Sequence, residues 1–307
     1  METRKIGSLA VSVVGLGCNN FGRRLDAAAT AAVVGAALDA GVTFFDTADM
    51  YGGTKSEEYL GRALAGKRDR VVIATKFGWA IDETRKGASA AYVKRAVEDS
   101  LRRLGTERID LYQLHRPDPE TPIAETLGAL ADLVRQGQVR EIGCSNFSVA
   151  QLEEARAAAG DGPRFVSVQN EYSLLRREAE AEVLPACERL GLAFLPYFPL
   201  ANGLLTGKYR LGRPMPAGTR LSEPGRAAVE ERQLAAVERL LAFAEERGHT
   251  LLELAFAYLL ARRPVASVIA GATKPEQVRA NAAAAAGWRL AAEELVSLKR
   301  LLAETGV

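Results

Sequence analysis

The chain has 307 residues, of which 48% are hydrophobic and 25% charged, so it can bury a large core as one barrel or as two ordinary domains. Its 40 basic and 38 acidic residues are scattered, which argues against a nucleic-acid or membrane surface and favours a small-molecule partner. Cys18, Cys144 and Cys187 are far apart and lack metal-ligand spacing, which argues against a disulfide framework and a zinc site. Because the chain has neither a signal-like start nor a run of about 18 apolar residues, we expect a cytoplasmic protein.

Short apolar runs rich in Val, Ile and Phe alternate along the chain with longer segments of helical periodicity. The predicted strands are 13–17, 43–46, 71–76, 109–115, 139–146, 165–169, 192–197 and 265–272. The helices predicted to follow them are, in the same order, 26–40, 55–65, 89–104, 121–136, 149–159, 178–190, the pair 229–247 and 250–262, and 275–284. Eight such units can close a parallel sheet, so the pattern predicts a single α/β domain over residues 1–307 with a (β/α)8 TIM barrel. An open doubly wound sheet is the alternative.

Three segments lie outside this alternation. The turn-like pair Gly7 and Ser8 separates two apolar pieces near the start, which predicts a β-hairpin covering one end of the barrel. The sequence LAAEELVSLKRLL near the end predicts an extra C-terminal helix. The region 198–228 lacks periodicity and holds repeated Gly and Pro, and so long a loop in a compact domain is typical of a functional lid.

Four ionisable residues lie at or just beyond the carboxyl ends of consecutive predicted strands. Asp46 ends TFFD, Tyr51 follows it by five residues, Lys76 ends VVIATK and His115 ends IDLYQLH. Catalytic groups of a barrel come from these ends, so we expect the four side chains to meet at one mouth. Each residue alone could instead be structural. Asp46 could cap a turn, Tyr51 could be a rim residue, Lys76 could be a solvated strand end, and His115 could be a hydrogen-bonded core histidine.

Together the four groups suit the reduction of a carbonyl, which leaves charge on oxygen that a proton must neutralise. Tyr51 would supply that proton if its pKa is brought down towards the working pH, and the ammonium of Lys76 would do this. Asp46 would keep Lys76 charged, and His115 would donate a hydrogen bond to the carbonyl oxygen. Metal-assisted hydrolysis is disfavoured, because the predicted site offers too few side chains that could bind a metal ion.

The motifs FDTADMYGGTKSEEYLGRAL, TKFG, DLYQLHRPD and GQVREIGCSNFS resemble signatures of the aldo/keto reductase family, in the family's order, within a match from Ile6 to Asn281. The resemblance implies an NADPH-dependent barrel without a Rossmann domain. It also implies that Asp46, Tyr51, Lys76 and His115 form a catalytic tetrad with Tyr51 as proton donor.

The resemblance further implies where the cofactor binds. Ser145, Asn146 and Gln169 would hold the nicotinamide carboxamide, and Tyr197 would stack on its ring. Segment 202–209 would fold over the pyrophosphate, and segment 269–281 would bind adenosine, with Lys274 on the 2′-phosphate and Arg279 nearby. The expected cofactor-binding residues are Ser145, Asn146, Gln169, Tyr197, Leu200, Gly203, Leu205, Gly207, Gly271, Thr273, Lys274, Gln277 and Asn281.

The sequence departs from the family pattern at Ala270, Ala280 and Phe198, where the family often has proline, glutamate and a small hydroxyl residue. The expected substrate pocket contains Phe21, Trp79 and Arg116. Arg116 suggests an anionic or polar substrate, unless a nearby carboxylate pairs with it.

Two other functions compete with this interpretation. GLGCNNFG, residues 15–22, superficially resembles the glycine loop of a Rossmann dehydrogenase, but its spacing is GxGxxxxG. A non-catalytic NADP(H)-binding regulatory subunit of the same fold, like those that associate with channels, is the second alternative.

Overall fold

The computed structural model describes residues 1–223 and 228–306, and it begins with the predicted hairpin. Strands β1 (Thr3–Ile6) and β2 (Leu9–Ser12) pair antiparallel. Gly7 at the turn has a φ of +54°, and a Cβ there would lie 2.6 Å from a carboxylate oxygen of Glu141, so the turn requires glycine. Apolar side chains of the hairpin pack against those inside the barrel, and the hairpin therefore closes one end of it.

Eight further strands in the described part of the chain form one parallel sheet, in the order β10-β3-β4-β5-β6-β7-β8-β9. Their bounds are β3 (Val14–Gly17), β4 (Phe44–Asp46), β5 (Val72–Phe77), β6 (Ile109–Leu114), β7 (Val139–Ser145), β8 (Ser167–Glu171), β9 (Ala193–Tyr197) and β10 (Val268–Gly271). The two edges meet at a parallel bridge between Phe194 and Val265, where the Phe194 N–H donates to the carbonyl of Pro264 at 2.7 Å. The sheet therefore closes as the predicted barrel, and the open-sheet alternative is wrong.

Helices cover the outside of the barrel, and their bounds are α1 (Ala27–Asp39), α2 (Lys55–Ala63), α3 (Ala90–Leu104), α4 (Ile123–Arg135), α5 (Val149–Ala159), α6 (Val183–Leu190), α7 (Glu231–Glu245), α8 (Leu251–Leu260), α9 (Pro275–Gly287) and α10 (Ala292–Thr305). Side-chain caps set several starts. The Asp26 carboxylate accepts from the Ala29 N–H, and Ser148 and Gln151 form a capping box at α5. Helix α10 confirms the predicted C-terminal helix.

Two predicted segments differ from the structure. The helix predicted over 178–190 is a 3₁₀ turn (Glu178–Glu180) followed by α6, because Pro185 lacks an amide hydrogen and is tolerated only in the first turn of a helix. The predicted lid region contains two short 3₁₀ segments, Ala201–Thr206 and Arg220–Ser222. Residues 224–227 of that region lie outside the described residues.

The parallel arrangement brings the carboxyl ends of all eight strands to one mouth, opposite the hairpin. Loops that follow β4, β6, β7 and β9 therefore converge on the same space. Among residues 1–223 and 228–306, we find no helix with the length and apolar composition that a bilayer crossing needs.

Candidate active site

A buried ion pair connects two neighbouring strands beneath the mouth. Lys76 Nζ lies 2.5 Å from Asp46 Oδ1 and also donates to the backbone carbonyl of Thr47 at 2.8 Å. Burial lowers the pKa of the Lys76 ammonium, but Asp46 and Tyr51 outweigh this effect, so the pKa lies above its ordinary value. Lys76 is therefore a permanent cation in the barrel interior.

The loop after β4 places Tyr51 over this cation, with Lys76 Nζ 5.1 Å from the centroid of the phenol ring. Burial raises the pKa of Tyr51, and the charge and hydrogen bond of Lys76 lower it without cancelling the burial. The expectation that Lys76 would bring the net pKa down towards the working pH is thus wrong, because desolvation is the larger effect. The phenol keeps its proton at neutral pH, which is the state that a proton donor needs.

His115 completes the group at the end of β6. Its ring centroid lies 5.7 Å from that of Tyr51 in an edge-to-face arrangement, and 5.3 Å from that of Trp79. Burial, Lys76 and Arg116 together hold the pKa of the imidazole well below its usual range. His115 is therefore neutral, so one ring nitrogen can donate a hydrogen bond while the other can accept one.

Two glutamines that face Asp46 complete its hydrogen bonding. Asp46 Oδ2 accepts from the side-chain amide of Gln169 at 2.9 Å and from that of Gln113 at 3.2 Å. Gln113 was not among the predicted site residues, although its alternation with Leu111 in β6 and with His115 just after it places the three residues on one side of the strand. Gln169 lies within β8 and not after it, so its amide reaches the tetrad.

Asn146 forms a second network across the mouth. Its Nδ2 donates to the His115 carbonyl at 3.0 Å and to Ser145 Oγ at 3.1 Å, and its Oδ1 accepts from the Tyr197 hydroxyl at 2.8 Å. The backbone of Asn146 has a φ of +63°, a conformation that asparagine tolerates better than most residues. The Asn170 side chain, which the sequence analysis missed, accepts from the Asn146 N–H at 2.7 Å. One residue thus connects the ends of β6, β7, β8 and β9.

A groove of about 1430 Å³ crosses the mouth above these residues. It is lined by fifteen of the residues expected at the site, namely Asp46, Tyr51, Trp79, His115, Ser145, Asn146, Gln169, Tyr197, Leu200, Gly203, Gly271, Thr273, Lys274, Gln277 and Asn281. The three residues that depart from the family pattern, Phe198, Ala270 and Ala280, line it as well.

Several expected site residues do not line the groove. Phe21 and Leu205 are fully buried, because their side chains pack into the hydrophobic core and not towards the mouth of the barrel. Lys76 lies beneath Tyr51, and Gly207 lies outside the lining with a φ of +81°. The exposed Arg116 lies outside the lining too, with its guanidinium over the Trp79 ring.

The size and charge of the groove fit an anionic cofactor together with a second molecule. Its volume exceeds the roughly 300–1,000 Å³ of common ligand pockets. Among the described residues, the groove-lining cations are Arg23, Arg24, Lys208, Arg220 and Lys274, of which Arg24 pairs with Glu223, whereas the acidic lining is limited to Asp46, which Lys76 neutralises. Gly203 has a φ of +101°, and an added Cβ would lie 3.3 Å from Lys208 Nζ. A glycine there lets the Lys208 side chain pack closely against the backbone at the edge of the groove.

Comparisons with known proteins agree with this architecture. The model of the aldo/keto reductase family matches residues 13–303. The Bacillus subtilis aldo-keto reductase YhdN is 37% identical over 277 residues, which cover 88% of this chain and 82% of that protein. A probable voltage-gated potassium channel subunit beta from Oryza sativa is 35% identical, covering 92% of this chain and 90% of that protein.

A solved structure is similar along almost the whole chain. The glycerol dehydrogenase AKR11B4 from Gluconobacter oxydans superimposes with a TM-score of 0.86 at 33% identity, covering 99% of this chain and 95% of that one. The identities and the covered lengths are high enough to show common ancestry and not merely a shared barrel. The chain therefore belongs to the aldo/keto reductase family of oxidoreductases.

Proposed function

We propose that the protein is an NADPH-dependent reductase that converts aldehydes or ketones into alcohols, with Tyr51 as the proton donor. The observation that carries the proposal is the arrangement of Asp46, Lys76 and Tyr51, in which a buried cation lies under a protonated phenol at the floor of the groove. Neutral His115 lies beside the phenol and supplies a second hydrogen-bond donor.

Reduced nicotinamide, when bound, would supply the hydride that reduces the carbonyl carbon. The chain's own residues manage the charge on oxygen. The O–H bond of Tyr51 breaks as its proton passes to the carbonyl oxygen, and Lys76 stabilises the phenolate that is left. Asp46 keeps Lys76 charged and oriented, and His115 donates a hydrogen bond that polarises the carbonyl.

The residues that would hold the cofactor follow the groove. Ser145, Asn146 and Gln169 would hold the carboxamide, and Tyr197 would stack on the nicotinamide ring. Each of the first three side chains already makes hydrogen bonds within the protein, which fix its orientation before the cofactor binds. At the other end, the groove-lining Lys274 precedes α9 and would pair with the 2′-phosphate. A single domain over 1–307 and a cytoplasmic location stay predictions from the sequence.

A second candidate is a non-catalytic NADP(H)-binding regulatory subunit. It is favoured by relatives from Oryza sativa and Arabidopsis thaliana whose names are probable voltage-gated potassium channel subunit beta. A purely regulatory subunit has no need of a proton donor, yet this chain keeps Asp46, Tyr51, Lys76 and His115 together. We therefore rank this candidate second.

The decisive experiment measures oxidation of NADPH by its absorbance with a panel of aldehydes and ketones. Turnover in the wild type that is lost in Tyr51→Phe would support the reductase. If NADPH binds in a fluorescence titration but no carbonyl is turned over, the regulatory candidate is correct. If NADPH does not bind at all, the result contradicts both candidate functions.

A further inference from the structure

Arg116 directly follows His115, and its guanidinium is held at the rim of the groove by an aromatic ring. The Cζ atom lies 5.1 Å from the centroid of Trp79, which is 40% exposed and lines the groove. Stacking on an indole restricts a guanidinium while leaving its N–H groups free at the edge. The cation is therefore already oriented before any substrate arrives.

No carboxylate of the described residues pairs with Arg116. The nearest candidate along the chain, Asp118, accepts instead from the Ala88 N–H at 2.7 Å, the Thr121 hydroxyl at 2.8 Å and the Glu120 N–H at 3.1 Å. No hydrogen bond or salt bridge of Arg116 is found within residues 1–223 and 228–306, although its charge helps to lower the pKa of the nearby Asp118 carboxyl. Because no carboxylate in that part of the chain forms a direct ion pair with the guanidinium, its N–H donors are available to a ligand.

The guanidinium is close enough to the reacting group to contact the far end of a small substrate. Arg116 Cζ lies 5.1 Å from the Trp79 ring and the Trp79 ring lies 5.3 Å from the His115 ring, so Cζ lies within about 10 Å of the imidazole centroid. A substrate that contacts both His115 and Arg116 therefore needs to span no more than about 10 Å, which includes the hydrogen bonds at its two ends. The charge of Arg116 also lowers the pKa of His115, which agrees with this proximity.

We propose that Arg116 is a specificity-determining residue that selects short aldehydes carrying a carboxylate two or three carbons from the carbonyl. This inference rests on the proposed reduction of carbonyls at Tyr51. A planar carboxylate accepts two parallel hydrogen bonds from a guanidinium edge, and Trp79 supports the guanidinium from one face. The cofactor-binding cation Lys274 would be occupied by phosphate, whereas Arg116 stays free for the substrate.

The test compares 4-oxobutanoate with its uncharged methyl ester, since both present the same aldehyde. At low ionic strength the wild type should show kcat/KM about fivefold higher for the acid, the scale of one well-oriented ion pair at a surface. Arg116→Met should bring this ratio to about one, because it should lower kcat/KM for the acid much more than for the ester. Arg116→Lys should keep part of the preference, since it keeps the charge but not the planar edge. Arg300→Met removes an exposed charge from α10 and should leave the ratio as in the wild type.

Different outcomes separate this inference from the proposed function. If the wild type reduces the ester as well as the acid, or if Arg116→Met lowers turnover of both alike, the inference is overturned while the reductase stands. If neither compound nor any other carbonyl is reduced, the proposed function fails first. Salt gives an independent check, because raising the ionic strength towards 1 M should shrink the wild-type preference and leave the ester unaffected.

Discussion

Asp49, two residues before Tyr51, is a carboxyl group that the fold buries without a side-chain partner. It is 1% exposed, and within the described part of the chain no side chain donates a hydrogen bond to either carboxylate oxygen, although an interaction with the Met50 N–H opposes the rise of its pKa in part. Burial, aided by the charge of Glu57, raises the pKa of Asp49 to about 8, and the nearby Arg103 opposes this only in part. Glu57 is already satisfied by Arg103 at 2.6 Å and by Thr75 at 2.5 Å. Asp49 therefore carries a proton at neutral pH.

This burial makes the free energy of unfolding depend on pH. The pKa of Asp49 is about 8 in the folded protein and 3.8 ordinarily, so the stabilising proton is fully bound at low pH and lost as pH rises through 8. Between these two values the free energy of unfolding should fall by about 1.4 kcal/mol for each pH unit, with a ceiling of about 6 kcal/mol. Asp49→Asn has the same shape and cannot ionise. Because water penetration reduces such penalties, we expect the variant to be more stable than the wild type by about 3 kcal/mol at pH 9.

Thermal unfolding followed by circular dichroism from pH 5 to pH 9 measures the effect. For a chain of this length, about 3 kcal/mol corresponds to a Tm about 5 °C above that of the wild type at pH 9, and this difference should shrink steadily as the pH falls towards 5. Asp161→Asn is the matched control, because Asp161 is exposed in the loop after α5 and should show no such divergence. Parallel Tm curves for Asp49→Asn and the wild type across this range would refute the reasoning.

Three further predictions concern the groove. Tyr51→Phe should reduce kcat at least about 100-fold while NADPH still binds, because only the proton donor is lost; near-normal turnover in steady-state assays would contradict its role. Lys274→Ala should weaken NADPH more than NADH in fluorescence titrations, since only NADPH carries the 2′-phosphate, and equal losses would assign that contact elsewhere. Asn170→Ala should raise KM for NADPH severalfold with a smaller effect on kcat, because Asn146 loses an acceptor and the Tyr197 ring loses support. Asn170→Asp, which keeps an acceptor oxygen, should restore part of the affinity, and an unchanged KM in Asn170→Ala would exclude the effect.

Local patterns in the sequence predicted most of the architecture. Apolar runs of four to eight residues and helical periodicity depend only on neighbours along the chain, so all eight strands and the helices between them could be located. Strand ends then indicated Asp46, Lys76 and His115, because parallel strands place their carboxyl ends at one mouth. The break before α6 was missed, although Pro185 was a signal that could have found it.

Other site residues were missed because their contacts join distant parts of the chain. The strand alternation places Gln113 on the same side as His115, but neither it nor the neighbours of Asn170 indicate that Gln113 contacts Asp46 and that Asn170 contacts Asn146. Phe21 was expected at the substrate opening but packs into the core. Which side of a loop faces solvent depends on what the rest of the fold places against it.

The amino-acid sequence by itself predicted the barrel from periodicity, the four groups that meet at the mouth from their positions at or just beyond strand ends, and the family from the motifs that resemble its signatures. Only the tertiary structure decided the protonation states of the buried ionisable groups. The raised pKa of Tyr51, the neutral state of His115 and the protonated state of Asp49 all arise from desolvation, which sums over every atom packed around a group. That packing comes from many segments at once, and no stretch of sequence encodes it alone.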